Sequence, residues 1–85
     1  MGRRRGEVQI IIDILDISLR GVKFTHLMYK ANLSYSTLRK YLSTMSKRGL
    51  IIKVYNSDGS MVYHATEKGK RVLDRLKEVR YILSV

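Results

Sequence analysis

A helical apolar stripe over residues 35–48 runs straight into a β-hairpin pattern over residues 50–65. That junction limits the fold more than any other feature of the chain. In the first segment Leu38, Tyr41, Leu42 and Met45 share one helix face, the core face. Ser36, Lys40, Ser43 and Lys47 lie on the opposite face, flanked by Thr37, Arg39 and Thr44. Ser34 is placed to cap this helix from Tyr35 to about Arg48, and Gly49 ends it behind Lys47 and Arg48. Leu50–Tyr55 is then β-branched and apolar, Asn56–Ser60 is a turn, and Met61–Ala65 returns. An Asp-Gly pair between two such runs is a strong hairpin signal.

Upstream, Glu7–Leu19 reads as a first helix, with Val8, Ile11, Ile12, Leu15 and Leu19 at helical spacing. Gln9, Asp13, Asp16 and Arg20 form its polar stripe, and Ile10, Ile14 and Ile17 form a second apolar seam. A helix apolar over most of its girth needs more than one partner. The second seam is therefore assigned to a terminal helix or a second subunit, and Gly21 stops the helix. Phe24–Lys30 reads as a short helix capped by Thr25 or begun just before it, with Leu27 and Met28 inward. Ala31-Asn32-Leu33 is the turn that follows, because Asn tolerates a left-handed conformation. Thr66 caps a last helix from Glu67 to about Leu83, in which Val72, Leu76, Val79 and Leu83 recur at spacings of four, three and four. That row is the seam of a short coiled coil or the stripe that packs on the first helix.

The predicted order is helix, helix, tight turn, helix, hairpin, helix. The fold class is α+β, mainly α: a helix-turn-helix whose second helix presents polar and basic groups, followed at once by a hairpin wing. Residues 1–6 (MGRRRG) read as a basic disordered arm, 7–66 as the winged helix-turn-helix domain, and 67–85 as a C-terminal helix serving dimerisation.

Between Asp16 and Asp58 the chain has 41 consecutive residues without an acid, among them Arg20, Lys23, Lys30, Arg39, Lys40, Lys47, Arg48 and Lys53. Residues 20–71 hold eleven Lys and Arg against two acids, a net of +9 out of +10 for the whole chain. Charge concentrated in this way is the electrostatic footprint of a nucleic-acid binder. A merely solvated basic surface is the bland alternative, and placement on a helix-turn-helix argues against it.

Eighty-five residues allow one small core, and with no Cys there is neither a disulfide framework nor a thiolate metal site. Dimerisation is the remaining support. No apolar run is longer than that of Ile10–Ile12, far short of the roughly 18 residues a membrane span needs. No signal-peptide apolar region follows the basic start, because Asp13 and Asp16 interrupt it. The expectation is a soluble cytoplasmic protein, associated with the nucleoid and in contact with no membrane. His26 and His64 are the only histidines, and no Cys or clustered acid joins them, so no metal is expected. The acids are too scattered for acid–base work. Neither an enzyme, nor a cofactor, nor a small-molecule ligand is indicated. Tyr41, Tyr63 and Tyr81 read as packing residues.

The stretch Met28-Tyr29-Lys30-Ala31-Asn32-Leu33-Ser34-Tyr35, followed by Gly49-Leu50-Ile51 and Thr66-Glu67-Lys68-Gly69, resembles the small archaeal winged-helix regulators. It is similar to the small archaeal chromatin proteins of that group, over residues 5–75 or so. The resemblance implies double-stranded DNA as partner and a homodimer formed through a long C-terminal helix that pairs antiparallel with its mate. Here that helix has room for only about 17 residues, or roughly 25 Å.

A recognition helix fits the major groove and reaches bases with its N-terminal residues. Ser36, Thr37, Arg39 and Lys40 are the candidates for base edges, and Lys30, Ser34, Tyr35, Ser43, Lys47 and Lys53 for phosphates. Ile10, Ile14, Ile17, Val72, Leu76, Val79 and Leu83 are the candidates for dimerisation. No Asn or Gln faces outward on the third helix, so a strong adenine reader is missing and sequence preference should be modest.

Overall fold

The computed structural model describes residues 5–84. They form α1 (Glu7–Ile17), α2 (Phe24–Ala31), α3 (Tyr35–Lys47), β1 (Ile51–Tyr55), β2 (Met61–Ala65) and α4 (Glu67–Leu83). The strands pair antiparallel, with Ile51 opposite Ala65 and Tyr55 opposite Met61. Val22, in the α1–α2 connection, adds a bridge to the other edge of β2 at Tyr63. The wing is thus a hairpin whose inner strand is anchored on both sides. The predicted winged helix-turn-helix is the observed fold.

Local chemistry explains most boundaries. Asn32 takes the left-handed conformation at φ 54° and closes the end of α2. Thr66 caps α4 by accepting from the Gly69 N–H at 2.9 Å. Gly59, at φ +90°, closes the wing turn after Asp58. One boundary is corrected. α1 ends at Ile17 and not at Leu19, because the Ser18 hydroxyl donates to the Ile14 carbonyl at 2.6 Å while the Ser18 carbonyl accepts from Ala65 N–H at 2.9 Å. That strand contact takes the backbone out of the helical ladder. Of the two starts expected for α2, the helix takes the second: it begins at Phe24, just before Thr25, with Lys23 as N-cap and no side-chain cap hydrogen bond.

The core gathers Ile12, Ile14, Leu15, Leu27, Leu38, Met45 and Leu73 beneath Ile51 and Tyr63. α1 is its centre, packed by α2 and by α4. This placement corrects the expected division of α1 into an inner and an outer seam. Ile14, predicted to face a second subunit, is 0% exposed within the single chain. Ile10 and Ile17 are half-buried against the same core. Val8, predicted to face inward, is exposed. The terminal helix packs on a different part of α1: α4 runs back along it, with Gly69 against Leu15 and Arg80 donating to Gln9 Oε1 at 3.2 Å. Lys77 pairs with Asp16 at 3.1 Å in the same interface.

The apolar row of α4 divides along its length. Val72 and Leu76 pack on the core, whereas Val79 is 50% and Leu83 73% exposed, with Ile82 exposed beside them. Tyr41 is half-buried and Tyr63 buried, as packing residues should be. Tyr81, predicted to pack, is 82% exposed at the far end of α4. Of the six arm residues, 1–4 lie outside the described residues. Arg5 is not free: its guanidinium bonds Asp13 Oδ2 at 2.8 Å and the Asn32 carbonyl at 2.9 Å. No helix among the described residues is long and apolar enough to cross a membrane.

Candidate nucleic-acid interface

The tight α2–α3 turn projects the start of α3, and Ser34 fixes that start. Its Oγ accepts from Thr37 N–H at 3.2 Å and donates to Thr37 Oγ1 at 2.9 Å. A cap of this kind stabilises a helix by about 1 kcal/mol. It also engages the hydroxyls of Ser34 and Thr37 with each other, and Thr37 is half-buried. Among the four base-edge candidates Thr37 is therefore the least free, while Ser36, Arg39 and Lys40 are exposed.

Tyr35 is 59% exposed and packs edge-on against Phe24, with ring centroids 5.2 Å apart. Phe24 in turn lies 6.3 Å from the ring of Tyr63 on β2. This aromatic row carries Arg39, whose guanidinium carbon sits 5.8 Å from the Tyr35 ring centroid and whose Nη1 donates to the Tyr35 hydroxyl at 3.4 Å. Arg39 is thereby held against α3, at the mouth of the cleft toward the hairpin. Sequence reasoning gave Phe24 no role beyond starting α2. Its position in the row depends on Val22 bridging to Tyr63, a contact no local pattern reports.

Between α3 and the hairpin lies an open cleft of about 340 Å³, lined by Arg39, Leu42, Ser43, Ser46, Lys47, Lys53 and Tyr63. Arg39, Ser43 and Lys47 follow one helical row at spacings of four, and Lys53 faces them from β1 beside its cross-strand partner Tyr63. No acid lines the cleft, so its three cations stand among two serines, Leu42 and Tyr63 with no carboxylate there to offset them. Predicted sites from separate segments thus meet here.

Others do not join them. Lys40 lines a different groove, between α1 and α3, beside Glu7 and Tyr41. Lys30 lines a third, of about 620 Å³, with Arg20, Lys23 and His26 at the α1–α2 corner. At the wing tip Asp58 is the only charge. Hydrogen bonds from the Ser60 hydroxyl and then the Ser60 N–H hold its carboxyl below the usual carboxylate range, against a small opposing desolvation and with help from Lys23.

Fold and cleft together define a winged helix-turn-helix, a DNA-binding class and not a catalytic one. The chain belongs to that family: the winged helix-turn-helix family model matches residues 4–84. Among solved structures it is similar to Sso10a-2, a DNA-binding protein from Sulfolobus solfataricus, at 31% identity and a TM-score of 0.81, over 92% of this chain and 81% of that one. A MarR-family transcriptional regulator from Silicibacter pomeroyi shares the fold at 23% identity and a TM-score of 0.70, over 89% of this chain and 57% of the other. The uncharacterized protein MJ0290 of Methanocaldococcus jannaschii is 35% identical over 77 residues, 89% of this chain. The chain spans only 34% of that relative's length.

Proposed function

We propose that the protein binds double-stranded DNA as a winged-helix transcriptional regulator, with α3 in the major groove and the hairpin on the backbone. The observation that carries this reading is the acid-free cleft joining Arg39, Ser43 and Lys47 of α3 to Lys53 of the wing. Arg39 and Ser36 are the side chains best placed for base edges; Lys40, in its own groove, serves the flank. Ser43, Lys47 and Lys53 take phosphates, and Tyr35 orients Arg39. Ser34 offers phosphate the backbone N–H groups of the α3 first turn, its hydroxyl being used by the cap.

The active form is a homodimer on a pseudo-palindromic site. The α4 end supports this: Val79, Ile82 and Leu83 present an apolar surface with no partner among the described residues. Residues 7–66 are the DNA-binding unit and 67–85 the dimerisation element in this reading. The protein works on the chromosome, in the cytoplasm. The similarity to a DNA-binding archaeal protein supports the DNA-binding step.

A second reading, a weakly specific architectural protein, is favoured by the absence of outward Asn or Gln on α3 and by a wing tip whose one charge is Asp58. Titration of a random-sequence duplex at several salt concentrations, followed by selection of preferred sites, separates the two. Salt-sensitive binding with a strong consensus establishes the regulator, and the same binding with no consensus the architectural protein. Absence of binding at low salt rejects both and leaves a winged helix that docks on an acidic protein.

A further inference from the structure

We propose that Arg5 is a positioning residue for the recognition helix, acting through the Asn32 carbonyl and not by touching DNA. This inference rests on the DNA-binding reading above.

Arg5 belongs by sequence to a basic arm, and the default role of such an arm is to lie along phosphates. Its geometry here is different. Nη1 donates to Asp13 Oδ2 at 2.8 Å and Nη2 to the Asn32 carbonyl at 2.9 Å, a span of 27 residues. Its side chain is only 30% exposed and that of Asp13 28%. Asp13 is a hub with both oxygens in use, because Gln9 Nε2 donates to Oδ1 at 2.8 Å. Gln9 is held in turn by Arg80 of α4. An unbroken polar chain therefore runs from α4 across α1 to the α2–α3 turn.

Asn32 is where that chain has leverage. It is the one described non-glycine residue with positive φ, and it ends α2, where helix carbonyls collect negative partial charge. The guanidinium offsets that charge and ties the turn to α1. Two residues later Ser34 caps α3, so any shift of the turn is passed to Ser36 and Arg39 with little chain to absorb it. The two contacts need donors that diverge from one rigid plane, which Arg supplies and a Lys ammonium does not.

Affinity for a random-sequence duplex is measured across a salt series for wild type, Arg5→Ala, Arg5→Lys and Asp13→Asn, with amide hydrogen exchange at Asn32 and Leu33 of the free proteins. The Leu33 N–H donates to the Met28 carbonyl at 3.1 Å and reports the turn directly. The expected result is an affinity loss of at least about tenfold for all three variants, the scale of one hydrogen bond from a charged donor. The salt slope should match wild type and exchange at the turn should be faster. A slope shallower by about 0.9, the mark of one lost phosphate contact, overturns the proposal. So does full rescue by Arg5→Lys, or unchanged affinity and exchange in Arg5→Ala. Should Arg5→Ala fail to fold, Arg5→Lys and Asp13→Asn are measured in the same way and support or overturn the proposal by the same criteria. If wild type binds no duplex, the DNA reading has failed separately. Exchange at Asn32 and Leu33 then still shows whether Arg5 holds the turn.

Discussion

Removing the three cleft cations should change how DNA binding responds to salt far more than it changes the fold. The variant is Arg39→Ala with Lys47→Ala and Lys53→Ala, all exposed residues around one acid-free cleft. Each phosphate contact contributes a slope of about −0.9 in log affinity against log salt, so losing the two phosphate contacts of Lys47 and Lys53 makes the slope shallower by about 1.8 per chain, Arg39 being engaged at a base edge. Between about 50 and 200 mM salt, the wild type should then lose about twelvefold more affinity than the variant. Surface substitutions of this kind shift stability by roughly 0.5 kcal/mol or less each, so circular dichroism and melting should show a near-native protein. Lys40→Ala, the same chemical change in the groove beside Glu7, is the internal control and should move the slope less than either cleft lysine. Fluorescence anisotropy with one duplex across a salt series measures all of these. An unchanged slope in the triple variant, or an equal effect from Lys40→Ala, refutes the assignment of phosphates to this cleft.

Gly69→Ala should lower stability despite a helix-propensity gain of about 1 kcal/mol. The added Cβ would overlap the Leu50 carbonyl oxygen and press on a Leu15 methyl at 3.2 Å, so α4 must shift at a cost of about 3 kcal/mol. The net of about 2 kcal/mol corresponds to a melting temperature lower by roughly 8–16 °C; an equal or higher one contradicts the packing. Val79→Asp with Leu83→Asp should leave the monomer fold intact, because both positions are exposed, and should abolish self-association in sedimentation. A wild type already monomeric at micromolar concentration refutes the dimer. Asp58→Asn preserves an acceptor for Ser60 and removes the only acid at the wing tip, so duplex affinity should rise; no gain would mean the tip stays away from phosphate. In the native chain the depressed Asp58 pKa makes the Ser60 bonds fully effective above the ordinary carboxylate range and lost as pH falls through the lower folded value. Exchange of the Ser60 amide should quicken only in that acid window.

Features that depend on near neighbours are legible in the residues alone. Ser34 and Thr66 as caps, Asn32 as a left-handed turn and Asp58-Gly59 as the hairpin tip follow from chemistry within four residues. The order of elements and the confinement of charge to the middle of the chain could likewise be read directly. The tertiary structure decided whatever depends on which faces meet. Ile14 and Ile10 lie on the same seam of α1, but only the docking of α2 and α4 on that helix shows that the chain itself buries Ile14 completely. Val72 and Val79 belong to one row of α4, and only the reach of α1 separates the covered residue from the exposed one. Arg39 and Lys40 are adjacent in sequence, yet the helical turn of about 100° between them sends one to the hairpin cleft and the other to the groove beside Glu7. Arg5 looked like part of a free arm because its two partners lie 8 and 27 residues away. Periodicity reports a residue's face, but the partner on that face is chosen by the packing of the whole chain.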